Sequence, residues 1–361
     1  MKKIIALLLA LACCAAIPVW AEDKAVTNVE VFTYTPSVGQ SLERIQITVS
    51  DAALLEGLTA ADFSLSGLCG QWGTAELHPF SVTTSGVAAE GNVLTISFTN
   101  FNEKYLYVAS WTCECANPAL TFTMEDVTAT HIEIADDFEK VRVEDGAEFG
   151  YNLFVPEDTS VPQPLVLALH GMGDTDNLQQ NRLCIAWAEP QNQAVRPCYV
   201  LAPLFPLNGW NFGSTEEVLS KAIDMVHDMI ADGKVDPSRV YVVGKSMGGY
   251  NTIKALTRFN ADGLFAAGIV MAGWVDAGLT EDEIANAAHT PVYVIHGEQD
   301  PLVAAPGAFY DLLVGLGNEN AFHFVYTERE YRNHKCGSQH DVEILAMEDR
   351  TFAEWLFAQS K

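Results

Sequence analysis

The chain is short of positive charge. It carries 20 Lys and Arg against 47 Asp and Glu, a formal charge of −27 over 361 residues. Such a balance repels nucleic acid and anionic membrane surfaces, so neither is expected as a partner. The acids are scattered and not gathered into runs, which marks a solvated surface and not a binding tail. Long apolar stretches are also lacking, apart from one run from Ile4 to Trp20 behind Met1-Lys-Lys. That run is short for a membrane span and contains Pro18. Val19-Trp20-Ala21 ends it with the small residues a signal peptidase reads, so residues 1–21 are expected to be a cleaved secretory signal. A membrane anchor and a lipoprotein signal at Cys13 or Cys14 are weaker readings. Cleavage removes Lys2 and Lys3 and no acid, leaving 18 basic against 47 acidic residues, or −29. The expected location is periplasmic or extracellular, with no stable membrane span after cleavage.

Repeats and low-complexity linkers are missing too, and no Cys or His spacing forms a metal motif. Cys113-x-Cys115 has no matching His or Cys pair nearby. The six cysteines of the mature chain are Cys69, Cys113, Cys115, Cys184, Cys198 and Cys336. An exported protein can form disulfides; Cys69 with Cys113 or Cys115, and Cys184 with Cys198, are plausible pairs, but connectivity does not follow from sequence.

The two parts of the chain differ in texture. From about 25 to 132, short runs alternate apolar and polar: Val29-Glu-Val-Phe-Thr-Tyr, Arg44-Ile-Gln-Ile-Thr-Val, Val93-Leu-Thr-Ile-Ser-Phe and Leu120-Thr-Phe-Thr-Met. Period-two segments separated by turn residues predict an antiparallel β-sandwich of immunoglobulin-like length over residues 22–134. His78 and His131, isolated there, read as surface or packing residues.

From about 135 the runs become continuous and apolar, as in a parallel sheet buried on both faces. Tyr151–Val155, Pro164–Leu169, Tyr199–Ala202, Val240–Val243, Ala266–Met271, Val292–Ile295 and Phe322–Tyr326 read as strands. Glu216–Ala231, Met247–Phe259, Pro306–Leu316 and Val342–Phe357 read as helices. Repeated βα units predict a doubly wound, mostly parallel α/β domain over residues 135–361, with the boundary inside Thr128–Phe138.

The most informative stretch is Val240-Tyr-Val-Val-Gly244-Lys-Ser246-Met-Gly248-Gly249. Gly-x-Ser-x-Gly alone is weakly specific. Behind a β-branched and aromatic strand and before a helical segment it reads as a nucleophile elbow, where a sharp turn holds a serine in strained dihedrals. A serine hydroxyl needs a base, and the base needs an orienting carboxylate. After Val292–Ile295 comes His296-Gly-Glu-Gln-Asp300-Pro, in a loop past a strand's C-terminal end. Asp300 is our choice of acid, Glu298 the alternative and Asp341 the outsider. His340, just before the last helix, is our choice of base over His334. Leu169-His170-Gly171-Met172-Gly173 has the position of an oxyanion loop, so the backbone N–H groups of Met172 and Met247 are the expected donors. His170 reads as structural there, and His296 as packing beneath the site. His227 and His289 carry no signal.

These residues together resemble the α/β-hydrolase superfamily. More closely, they look like bacterial carboxylesterases that carry an N-terminal immunoglobulin-like domain, relatives of feruloyl and polyhydroxybutyrate-depolymerase-like esterases. The likeness rests on Gly150-Tyr-Asn-Leu-Phe-Val-Pro-Glu-Asp, Leu165-Val-Leu-Ala-Leu-His-Gly, Trp187-Ala-Glu-Pro, Pro197-Cys-Tyr-Val-Leu-Ala-Pro, Asp236-Pro-Ser-Arg-Val-Tyr, Gly244-Lys-Ser-Met-Gly-Gly-Tyr, His296-Gly-Glu-Gln-Asp, His340-Asp341 and Glu354-Trp-Leu. It implies Ser246 as nucleophile, Asp300 as acid and His340 as base, acting without cofactor or metal on a small-molecule or carbohydrate ester. It also implies a first domain packed on the second. Two positions bear on the pattern: Glu343 stands where such enzymes often have an aromatic residue, and Asp174 could serve as the acid that often follows the oxyanion glycine. Trp210, Trp274, Tyr250 and Tyr331 could border the site or pack the core. A serine peptidase of the prolyl-oligopeptidase-like branch and a carbohydrate- or surface-binding protein on a hydrolase scaffold are the competing readings. A homo-oligomer stays open.

Overall fold

A computed structural model of the chain describes residues 24–35, 41–71, 75–101, 106–172, 182–206, 213–333 and 338–361. The expected signal at 1–21 therefore lies outside the described residues, as do Gly173, Asp174, Trp210, His334 and Cys336.

Among the described residues, nine strands come first: β1 Val26–Tyr34, β2 Ser41–Val49, β3 Phe63–Gln71, β4 Leu77–Val82, β5 Thr84–Glu90, β6 Val93–Phe101, β7 Leu106–Cys115, β8 Phe122–Thr123 and β9 Ala129–Ile132. They form two sheets, ordered β5-β6-β2-β1-β9 and β4-β3-β7-β8. Alternation in the sequence is the cause of the packing. Ile45, Ile47 and Val49 of β2 and Leu94 and Ile96 of β6 turn inward against Leu65 of β3, Cys113 of β7 and Phe122 of β8, making one core between the two sheets. All pairs are antiparallel except β1 with β9, which run parallel through Glu30↔Ala129 to Thr33↔Ile132. The expected strand at Leu120 is mostly a 3-10 turn over Pro118–Leu120, started by the Asn117 side chain accepting from Ala119 N.

Neither plausible disulfide pairing forms among the described residues. Cys69 faces Val108 across the β3–β7 ladder, five residues along β7 from Cys113. At about 3.3 Å per residue that is roughly 16 Å, far beyond the reach of a disulfide. Cys184 Sγ donates to Ala168 O at 3.6 Å, while Cys198 Sγ accepts from Gln193 Nε2 at 3.3 Å. Burial pushes the Cys198 thiol up to about 12, so it stays protonated.

The second region supplies β10 Glu139–Val141, β11 Tyr151–Phe154, β12 Gln163–Leu169, β13 Tyr199–Pro203, β14 Val235–Lys245, β15 Ala267–Met271, β16 Val292–Gly297 and β17 Ala321–Tyr326. They make one sheet, ordered β10-β11-β13-β12-β14-β15-β16-β17. β10–β11 and β11–β13 are antiparallel, and from β13 onward every neighbour is parallel. The helices are α1 Arg182–Ile185, α2 Pro190–Gln193, α3 Gly213–Ala231, α4 Met247–Leu256, α5 Glu281–Ala285, α6 Ala308–Gly315, α7 Glu328–Asn333, α8 Val342–Glu348 and α9 Arg350–Phe357.

Why the strands read as unbroken apolar runs is visible in β12. Leu165, Leu167 and Leu169 enter one core with α3, α4 and α6. Val166 and Ala168 enter the other, with α1, α8 and α9. Both faces are covered, so Leu165 to Leu169 are apolar on either face, and the polar Gln163 at the strand's start is buried with its Nε2 donating to Asp158 O at 3.0 Å. The helix expected over Val342–Phe357 is two helices, because Asp349 is extended (φ −83°, ψ 101°) and caps α9 by accepting from Thr351 N at 2.9 Å. β9 belongs to the first region's sheet, whereas Ala135 and Phe138 pack into the second region's core. No described helix is long and apolar enough to cross a membrane.

Candidate active site

The site lies at the C-terminal ends of β14, β16 and β12. Ser246 follows β14 directly and stands at φ 60°, ψ −119°, a conformation that costs a non-glycine residue about 1–3 kcal/mol. The surroundings enforce it. Ser246 N–H donates to Met271 O at 2.9 Å, at the end of β15, and Ser246 O accepts from Tyr250 N–H at 2.9 Å, the first bond of α4. The flanking glycines are steric requirements. A Cβ on Gly244 would overlap Gly248 O, and one on Gly248 would overlap Leu169 O. A Cβ on Gly249 would sit 2.7 Å from Met271 O and 2.8 Å from Gly273 Cα.

The structure brings the three chosen side chains together. His340 Nε2 is 2.8 Å from Ser246 Oγ. His340 Nδ1 is 2.9 Å from Asp300 Oδ2 and 3.1 Å from Oδ1. The Asp300 side chain is 0 % exposed and that of His340 is 7 % exposed. Asp300 Oδ1 also accepts from Leu302 N at 2.8 Å and Val303 N at 3.0 Å. Burial is the strongest single influence on this carboxyl and would raise it. The bonds from His340, Leu302 and Val303 together outweigh it, so the carboxyl sits below its ordinary range and is ionised at neutral pH. A bound carboxylate at Nδ1 leaves Nε2 as the acceptor facing a hydroxyl, the arrangement that activates a serine.

The alternatives fall elsewhere. Glu298 is exposed, its N–H spent on Tyr326 O. Asp341 is buried 3.8 Å from Lys245 Nζ. His170 is structural. Its Nδ1 is 2.7 Å from Gly171 O and its Nε2 accepts from Phe205 N at 2.9 Å, which ties the loop after β12 to the segment after β13. Burial, only partly opposed by the Gly171 bond, lowers its pKa to about 4 and keeps the ring neutral. Met172 follows in a turn, its side chain exposed. Met247 opens α4, where an N–H has no intrahelical acceptor. His296 is buried beside the site, its Nε2 2.7 Å from His323 Nε2. Tyr331 packs in the core against Tyr326. Tyr250 stacks on Trp274 with centroids 5.0 Å apart, and its hydroxyl donates to Asp276 Oδ2 at 2.8 Å.

Two features escape sequence reading. Gln339 links the loops of base and acid: its Oε1 accepts from Gln299 N at 2.6 Å, and Gly297 leaves room for it, since a Cβ there would overlap Gln339 O. Lys245, the variable residue of the elbow, pairs with Glu343 Oε1 at 3.1 Å. Only the departure at Glu343 hinted at the second, and nothing in the sequence signalled the first.

The prolyl oligopeptidase family model matches residues 214–286, which run from α3 through the elbow to α5. The crystal structure of a thermostable esterase superposes with a TM-score of 0.73 at 25 % identity, covering 93 % of this chain and all of that one. A probable carboxylesterase, SOBER1-like, of Arabidopsis thaliana is 26 % identical over 167 residues, 40 % of this chain and 63 % of the relative. A probable carboxylesterase of Oryza sativa subsp. japonica is 29 % identical over 163 residues, 38 % of this chain and 68 % of the relative. The chain thus spans about two thirds of the length of these curated relatives. The fold is that of an α/β-hydrolase, and the likenesses support a carboxylic ester hydrolase.

Proposed function

We propose that the chain is an exported serine esterase that works through an acyl-enzyme. The observation that carries this reading is the unbroken relay from Asp300 through His340 to Ser246 Oγ, with both links at hydrogen-bond length. His340 takes the Ser246 proton as the hydroxyl attacks an ester carbonyl. Backbone N–H groups of Met172 and Met247 hold the oxyanion, each such donor contributing about 3 kcal/mol in the transition state. His340 then gives its proton to the leaving alcohol, and water, deprotonated by the same ring, frees the acid. No cofactor enters these steps. In this reading residues 1–21 are a signal, 22–134 an immunoglobulin-like module and 135–361 the catalytic domain. The feruloyl or polyhydroxybutyrate-like subtype and a carbohydrate-linked acyl substrate remain the sharper form of the proposal.

The test is hydrolysis of short-chain p-nitrophenyl esters by the chain beside Ser246→Ala. Activity that vanishes in the variant supports the esterase, and equal background in both sinks it. The match of 214–286 to the prolyl oligopeptidase family favours one second reading, a serine peptidase using the same three side chains. Cleavage of peptidyl p-nitroanilides faster than of the matching esters would select it.

A further inference from the structure

The elbow carries an anomaly. Lys245 lies directly before the strained serine, and its side chain is only 13 % exposed. Burying an ammonium costs several kcal/mol unless it is paired. Among the described residues, its acidic contacts at Glu343 and Asp341 come from the segment that carries His340. Glu343 Oε1 is 3.1 Å from Nζ and Asp341 Oδ1 is 3.8 Å away, with those side chains 12 % and 10 % exposed. Glu343 is the first-turn residue of α8, three positions after His340, and Asp341 adjoins it. The second Glu343 oxygen, Oε2, is buried with no hydrogen-bond partner among the described residues, so Oε1 and its ammonium are what hold that side chain.

We propose that Lys245 is the positioning residue for the base: its ammonium, seated between Glu343 and Asp341, registers the His340 segment against the strand that presents Ser246. The inference rests on the reading of Ser246 and His340 given above. A buried ion pair is a poor source of net stability, because desolvation cancels most of the attraction. Its best-attested use is to fix register, since every misaligned arrangement strands a charge. Here the register that matters is the 2.8 Å contact between Nε2 and Oγ. The strand end supplies one side of the contact and, one residue earlier, the cation that draws in the other side.

The test uses a fluorophosphonate probe, which labels an activated serine whatever its natural substrate, on the full chain. Maximal labelling rate and half-saturating concentration are measured separately, with a thermal melt on each variant. Lys245→Met is expected to label roughly 10- to 100-fold more slowly at saturation, in line with the cost of an ångström of misplacement, with half-saturation unchanged. Lys245→Arg should recover most of the rate. Glu343→Gln keeps its shape, loses its charge and should slow labelling by a smaller factor, because Asp341 remains. Should Lys245→Met not accumulate folded, Glu343→Gln with Lys245→Arg carries the test. Wild-type rates in Lys245→Met, or a slow Lys245→Met beside an unaffected Glu343→Gln, overturn the positioning role. A wild-type chain that does not label overturns the nucleophile assignment itself and takes the inference with it.

Discussion

Ser246 and His340 meet at 2.8 Å, yet the chain holds them by different means. Ser246 is held by backbone: a strand end, a helix start, two backbone hydrogen bonds and glycines packed against carbonyls. His340 is held by side chains on a loop: Asp300 at its ring, Ser338 Oγ accepting from its N–H at 3.1 Å, Gln339 toward the acid loop, and the Lys245 pairs at Asp341 and Glu343. A backbone device tolerates almost no substitution and fails as a fold. A side-chain device can be loosened one contact at a time and fails as an alignment.

The sharpest break of the comparison is at the chemistry, where both supports should be irrelevant. Ser246→Ala is expected to cut kcat for ester hydrolysis by about 10⁴–10⁶-fold while the melting temperature holds, because alanine relieves no packing and the glycines still define the turn. Asp300→Asn should cost about 10⁴-fold by presenting the wrong tautomer of His340, whereas Glu298→Gln, at an exposed position, should leave kcat within about threefold. An equal loss in both would reopen the choice of acid.

On the backbone side, Gly248→Ala is expected to destabilise by about 3 kcal/mol or more, because its Cβ would meet Leu169 O and neither strand nor helix can yield. Chemical denaturation reads this directly. A variant that folds at wild-type stability but works slowly would mean that the elbow is an alignment device too.

This contrast also explains what the sequence discloses. The elbow, the alternation of strands and helices and the Ser…Asp…His succession are local patterns, so Gly244, Ser246, Gly248, Asp300 and His340 were all legible. The antiparallel start of the large sheet and the break at Asp349 were less so, because short strands and a single extended residue leave little periodicity. Gln339 and the Lys245–Glu343 pair were not: the triad also joins residues 40 and 94 positions apart, but its members sit in recognisable motifs, whereas no motif marks the partner of Gln339 or Lys245. Disulfide connectivity is likewise not readable from sequence: spacing suggests which cysteines are available, but the register of β3 against β7 decides whether Cys69 can meet Cys113 or Cys115.

His170 supports the β12 loop through its ring, a side-chain tie inside the backbone-held half. With a native pKa near 4 against an ordinary 6.5, the unfolded chain takes the proton first as pH falls. The contribution is therefore whole above about 6.5 and is lost between there and about 4, amounting to about 3 kcal/mol at most. His170→Asn should flatten that part of the stability–pH curve measured by denaturation at pH 7 and pH 5. An unchanged slope would mean that the ring already charges in the native state.

The gentlest perturbation reaches the tie between acid and base loops. Gln339→Ala removes the acceptor of Gln299 N–H but leaves the ring's bonds to Asp300 and Ser246 in place. Gln299 is exposed, so water can replace the lost acceptor, and the stability cost should stay near 1 kcal/mol. The base loop would nonetheless lose one of its flanking ties, and a fall in kcat of about tenfold with KM unchanged is expected if alignment is shared among those ties. A fall confined to KM would assign Gln339 to substrate contact, and no change at all would leave the ionic side of the loop as its main support.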